Sequence, residues 1–257
     1  MKKHSDPKVL KRGILPEDIE EGEEIIMLDT TKYAVVIGAS RGLGLGLVKE
    51  FLLRNCRVTA TYRSLETAKP LLDLSKEDPR LRLEKVDIND PDQVMKLAIR
   101  LKSITVDFLF INAGVSLGPK ERVQNINRND FVNLMITNAY SPMQVINALD
   151  SSVHEDGMIA VMSSDLGSVK NNLTGNWEIY RASKASLNTL MKSRAAAKAD
   201  RRTYLCLSPG WVRTDMGGDA APLDITTSTS GLVDTILKRT GSTGVQFLNY
   251  EGKTVEW

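Results

Sequence analysis

Cysteine and histidine are nearly missing from the 257-residue chain, which holds two of each. Cys56 and Cys206 lie in separate apolar runs, which argues against a disulfide framework and against a cysteine-rich zinc site. His4 and His154 are too few for a histidine cluster, so no metal site is expected. No apolar stretch approaches the roughly 20 residues of a membrane span. Neither charge sign dominates. The 34 Lys and Arg against 32 Asp and Glu leave a net charge of +2, without the basic excess that nucleic acid or an anionic membrane would need. The N-terminal lysines have no apolar segment behind them and an acidic run follows, which fits neither a secretory leader nor a transit peptide. A cytoplasmic protein is expected. What is present, 42% hydrophobic and 26% charged residues, is the balance of a soluble globular chain.

Residues 1–30 form a charged extension. Lys2, Lys3, Lys8, Lys11 and Arg12 begin it, and six acids then fill the eight positions from Glu17 to Glu24. So charged a segment buries little surface and reads as a mobile arm. Residues 31–257 read as one domain of alternating strands and helices. Apolar runs at Tyr33–Gly38, Arg57–Thr61, Leu81–Val86, Val106–Ile111, Gly157–Met162, Thr203–Leu207 and Val245–Leu248 predict strands. Helical periods predict helices over Gly44–Arg54, around Leu65–Leu74, and over Asp90–Ile104, Asp130–Leu149, Trp177–Ala199 and Asp224–Arg239. This alternation points to an α/β fold, a single doubly wound parallel sheet of Rossmann type with helices on both faces.

The first strand runs into Gly38-Ala39-Ser40-Arg41-Gly42-Leu43-Gly44. After a strand and before a helix, such glycines let backbone approach a pyrophosphate while the helix N-terminus offers aligned N–H donors. The spacing is G-x-x-x-G-x-G rather than G-x-G-x-x-G, and strand, glycines and helix together favour a dinucleotide. The same residues contain G-x-S-x-G, the nucleophile elbow of a hydrolase. That elbow follows several strands rather than the first, and the last hundred residues hold no histidine to take the serine proton. At the end of the second strand, an acid would bind the 2′-hydroxyl of NAD and a basic residue a 2′-phosphate. The sequence there is Thr61-Tyr62-Arg63-Ser64. Arg63, with Arg41 as a second side of a phosphate clamp, favours NADP(H).

Tyr180 and Lys184 stand four apart and share a helix face. An ammonium beside a phenol stabilises the phenolate and lowers its pKa, which makes a tyrosine useful for proton transfer near neutrality. Together with the glycine turn, Asn112-Ala113-Gly114 after the fourth strand, Asn138 in TNAYSP, Ser164 after the fifth strand and Pro209-Gly210-Trp211-Val212-Arg213-Thr214 after the sixth, this pair resembles the short-chain dehydrogenase/reductase family. The resemblance covers about residues 31–257. Residues 167–176 leading into YRASKASLN, SPGWVRTDMGG with Ala221-Pro222-Leu223, and the ending YEGKTVEW resemble its C-factor-like and sniffer-like carbonyl reductases.

The resemblance implies roles. Tyr180 would exchange a proton with the substrate oxygen during hydride transfer, and Lys184 would lower its pKa and hold the nicotinamide ribose. Ser164 would bind the substrate carbonyl, with Ser163 the alternative one residue earlier. Asn138 would order a water linking Lys184 to solvent, or serve only as a structural amide. Gly38, Ser40, Arg41, Gly42, Leu43, Gly44, Arg63, Asp87, Asn112, Ala113, Gly114, Pro209, Gly210, Val212 and Thr214 would meet the cofactor, Asp87 near the adenine. The substrate would be a small carbonyl or alcohol in a pocket built largely by Met216–Ser230, with Trp177, Trp211 and Met216 flanking the site, either lining that pocket or packing in the apolar core. The helices at 130–149 and 177–199 are where the family pairs, so a homodimer is expected by analogy. A signalling or regulatory protein with the same fold is the alternative.

Overall fold

The computed structural model describes residues 31–118, 122–198 and 200–257, together with two short strands, Val9–Leu10 and Ile26–Met27, that pair in parallel. The acidic run at 17–24 lies outside the described residues. Lys32–Trp257 forms one compact unit. Its seven strands are β1 (Tyr33–Ile37), β2 (Arg57–Tyr62), β3 (Leu81–Lys85), β4 (Val106–Ile111), β5 (Val153–Met162), β6 (Thr203–Ser208) and β7 (Gly244–Asn249). They make a single parallel sheet in the order β3-β2-β1-β4-β5-β6-β7. The helices are α1 (Gly42–Leu53), α2 (Lys69–Glu77), α3 (Pro91–Leu101), α4 (Arg128–Met135), α5 (Ser141–Leu149), α6 (Glu178–Lys198) and α7 (Ile225–Arg239).

Strand alternation divides the core in two. Val35, Ile37, Leu109, Ile111, Ile159 and Val161 face α3, α5 and α6, where Leu97, Val145, Leu187 and Met191 complete one layer. Ala34, Val36, Phe108, Phe110, Ala160 and Leu205 face α1 and α7, meeting Leu47, Phe51, Leu232 and Ile236. Both faces are apolar, as a parallel sheet covered on two sides requires. The small residues set how closely the second layer packs. A Cβ on Gly46 would lie 2.7 Å from the Ile225 methyl and 2.8 Å from that of Thr229, so α1 and α7 touch at that glycine.

The element types agree with the sequence reading, and the boundaries differ for local reasons. β5 begins at Val153 rather than Gly157, because Val106 of β4 recruits Val153 across a register irregularity. α2 starts at Lys69, where Pro70 suits the first turn. The expected single helix over 130–149 is interrupted by a π turn at Ile136–Tyr140, in which Ser141 N–H reaches back five residues to the Ile136 carbonyl. Pro142 has no N–H to offer the Asn138 carbonyl four residues before it, so the regular ladder cannot pass through. α3 opens as Asp-Pro predicts, with Asp90 Oδ1 accepting from the N–H of Asp92 and Gln93.

Gly46→Val should force α1 and α7 apart and destabilise the domain by about 1–3 kcal/mol. A lowered urea midpoint with unchanged slope is the expected result.

Candidate active site

The carboxyl ends of β1 to β6 open into a cleft of about 640 Å³. It lies over the β1–β4 junction, where the strand order reverses and an open α/β sheet leaves a crevice.

The glycine turn is the floor of that crevice. Gly38 adopts φ +82°, and a Cβ there would sit 2.8 Å from the Ala113 backbone. A Cβ on Gly44 would lie 2.2 Å from the Gly38 carbonyl and 2.7 Å from Asn112 Nδ2. Side chains from both neighbouring strands hold the turn. Thr61 Oγ1 accepts from Gly38 N–H at 2.9 Å and the Thr61 carbonyl from Ala39 N–H at 2.7 Å, while Asn112 Nδ2 donates to the Gly38 carbonyl at 2.7 Å. α1 then starts at an extended Arg41 with no capping side chain and no acid in its first turn, leaving its N–H donors directed at the cleft.

Of the residues expected to meet a cofactor, all but Gly44 line the cleft, and Gly44 lies buried beneath it. Arg63 is exposed at the end of β2 and forms no ion pair or side-chain hydrogen bond among the described residues. Arg41 instead pairs with Asp215, in the segment after β6. Asp87 is half-buried, its Oδ1 accepting from Asn89 N–H at 2.9 Å. Thr214 Oγ1 accepts from Gly217 N–H at 3.1 Å. A glycine cradle that any Cβ would fill, an uncapped helix start and an unpaired arginine suit a phosphorylated dinucleotide. The segment after β6 contributes Trp211, Met216, Gly217 and Ile225 to the cleft. Its later part, expected to shape the pocket as well, is already α7, with Ser228 and Thr229 buried.

Tyr180, Lys184 and Ser164 line the same cleft. The Lys184 ammonium lies 5.6 Å from the Tyr180 ring centroid and donates to the Met162 carbonyl at 2.8 Å. Burial brings its pKa down from 10.5 to about 8. Cys206, whose own pKa burial pushes up, gives it no counter-charge near neutrality. The two serines separate as strand alternation demands. Ser163 is buried and donates to Asn188 Oδ1 at 2.7 Å, whereas Ser164 is half-buried and accepts from Leu166 N–H at 3.2 Å, which leaves its own proton to give. Asn138 lies in the π turn, fully buried. Its amide accepts from Val115 N–H and donates to the Val115 carbonyl, both at 2.8 Å, and donates to Ser183 Oγ at 3.0 Å. It therefore pins the chain after β4 beside the Lys184 ammonium, with Gly114 between them.

Several supporting residues went unread in the sequence. Thr61, Asn188, Ser183 and Asp215 act through partners far along the chain. Only Thr61, a hydroxyl ending an apolar strand, carried a local signal.

The buried Lys184 ties stability to pH. Below about pH 8 both folded and unfolded chains carry the ammonium. Between there and the ordinary lysine range the unfolded chain keeps a proton that the folded one has lost, so folding stability rises with pH. Relative to Lys184→Met, the apo protein should gain at most about 1.4 kcal/mol per pH unit across that window. Urea unfolding of both proteins at two pH values within the window measures it.

The chain matches the short chain dehydrogenase family over residues 32–223. It is 43% identical, with a TM-score of 0.86, to a Burkholderia multivorans protein of the short-chain dehydrogenase/reductase type crystallised with NADP, covering 88% of this chain and 100% of that one. The carbonyl reductase Sniffer of D. melanogaster is 31% identical with a TM-score of 0.79, over 88% of this chain and 99% of Sniffer. The C-signal protein of Myxococcus xanthus is 32% identical over 155 residues, 59% of this chain and 93% of that protein. The glycine cradle, the Tyr180–Lys184 pair and these matches agree, and the chain belongs to the short-chain dehydrogenase/reductase family.

Proposed function

We propose that the protein is an NADP(H)-dependent oxidoreductase that interconverts a carbonyl and an alcohol, acting as a reductase. The observation that carries this reading is the placing of Tyr180, Lys184 and Ser164 in the same cleft as a glycine cradle with a free arginine. NADPH, when bound, supplies the hydride. The α1 N-terminus and the Gly38–Gly44 turn would hold its pyrophosphate. Arg63 would hold the 2′-phosphate, with Arg41, now paired to Asp215, as the second side of that clamp.

The chain's own part is proton delivery and alignment. The Ser164 hydroxyl donates to the substrate oxygen and orients it. The Tyr180 hydroxyl gives that oxygen its proton as negative charge develops there. The resulting phenolate is stabilised by the Lys184 ammonium, which is buried and held close by the Met162 carbonyl. The Asn138 amide gives both its N–H groups away, to Val115 and Ser183, so the water that would link Lys184 to solvent takes its support from the amide oxygen or from the main chain of the π turn. Two copies pair through α4 to α6, where Val132, Ile136 and Tyr140 expose apolar surface at four-residue spacing.

The likeness to the C-signal protein supports a second reading, a signalling or regulatory protein that binds the cofactor with incidental turnover. Under that reading a Tyr180→Phe protein keeps its cellular effect.

Tyr180→Phe should cut kcat by about a hundredfold or more while leaving NADPH binding nearly unchanged. Steady-state kinetics with an aldehyde, ketone and quinone panel, alongside fluorescence titration with NADPH, tests the assignment, and comparable turnover would remove Tyr180 from its role. Arg63→Ala should weaken NADPH much more than NADH, roughly tenfold or more against little change. Equal losses for the two cofactors would refute the phosphate contact.

A further inference from the structure

Trp177 has a backbone conformation that its side chain does not favour. Its φ is +60°, a left-handed region that a bulky residue occupies only where its surroundings impose it. Here two arginine side chains hold the two carbonyls before it, and the first turn of α6 holds its own. Arg122, in the segment between β4 and α4, donates from Nη1 to the Gly175 carbonyl at 2.6 Å and pairs with Glu178 at 3.7 Å. Arg181 donates from Nε to the Asn176 carbonyl at 2.6 Å and from its backbone N–H to the Trp177 carbonyl at 2.8 Å.

The consequence appears at Tyr180. The indole of Trp177 meets the phenol ring edge-on, with centroids 5.9 Å apart and planes at 62°. Such a contact fixes a ring plane as well as a distance. Tyr180 lines the cleft yet is only 8% exposed, with the half-buried indole lying against its ring. Lys184 binds the Met162 carbonyl and reaches the ring only at 5.6 Å, so it supplies charge without setting the plane of the phenol.

Resting on the oxidoreductase reading above, we propose that Trp177 is a positioning residue for Tyr180. Its indole is held against the phenol by the Arg122 and Arg181 clamp, so that the hydroxyl keeps its direction toward the substrate oxygen. Strained backbone is retained here because relaxing it would free the tyrosine, and a small misplacement of a proton donor is costly to the rate.

Strain and contact can be separated by substitution. Trp177→Gly removes the indole and also the conformational strain, so its urea midpoint should equal or exceed that of the unmutated protein. Its kcat should nevertheless fall about tenfold, with KM for NADPH unchanged. Trp177→Phe restores an aromatic edge and should recover part of that loss. Normal kcat in Trp177→Gly, or equal impairment in Trp177→Phe, would overturn the proposal. A readout independent of turnover is the ultraviolet phenolate titration of Tyr180, taken as the difference between each protein and its Tyr180→Phe counterpart. It should shift in Trp177→Gly and move back in Trp177→Phe, and an unmoved titration also overturns the proposal. A protein that reduces no carbonyl at all would defeat the oxidoreductase reading, while this titration still decides the positioning one. If Trp177→Gly fails to fold, Arg122→Ala takes its place with the same kinetic and titration readouts.

Discussion

Backbone meets backbone at Gly38, where the first strand turns into the first helix against the end of the fourth strand. The Gly38 carbonyl lies under Gly44 and accepts from Asn112, while its N–H is taken by Thr61. Three parallel strands are thereby joined at their carboxyl ends by hydrogen bonds that need the absence of side chains. A methyl group at either glycine would drive α1 away from β4 and close the cradle to a phosphate. The uncapped start of α1, the entry of Arg63 from β2 and the chain after β4 all take their positions from this contact.

Elsewhere in the same cleft the governing quantity is charge. Lys184 is buried against a carbonyl and an aromatic ring, and burial depresses its pKa to about 8. An isolated carboxylate partner would have satisfied the ammonium and removed its influence on a neighbouring phenol. A neutral surrounding keeps that influence available, at a cost to the folded protein without its cofactor. The amide of Asn138, clamped on Val115, and the π turn forced by Pro142 serve the same end by fixing the walls around the ammonium.

The sheet, the helices and the cleft-facing residues were legible because their signals are local. A β-branched run before glycines, an Asp-Pro cap and a four-residue spacing can each be read without knowing the fold. The break at Ile136–Tyr140 was also written locally, in Pro142, but apolar periodicity continued through it and masked the proline. The start of β5 was not legible, since Val153 to Asp156 show no alternation and of these Val153 alone finds a partner on β4, Val106, before the register resumes at Met158. The helical period predicts a helix that begins at Trp177, whereas Trp177 stands outside α6 in a conformation that no propensity would assign to tryptophan. The ion pair of Arg41 with Asp215, 174 residues away, has no local signal at all.

The amino-acid sequence by itself determined the α/β class, the place of the glycine turn and the identity of the residues gathered at the cleft, because hydrophobic period and backbone-permissive residues act over a few positions. The tertiary structure decided which of them point where. It turned Ser163 into the core and Ser164 to the cleft, buried Lys184 with no carboxylate partner among the described residues, and bound Gly175 to Arg122 from 53 residues away. Those outcomes depend on contacts between segments that meet only once both layers have packed on the sheet, and so no local pattern can encode them.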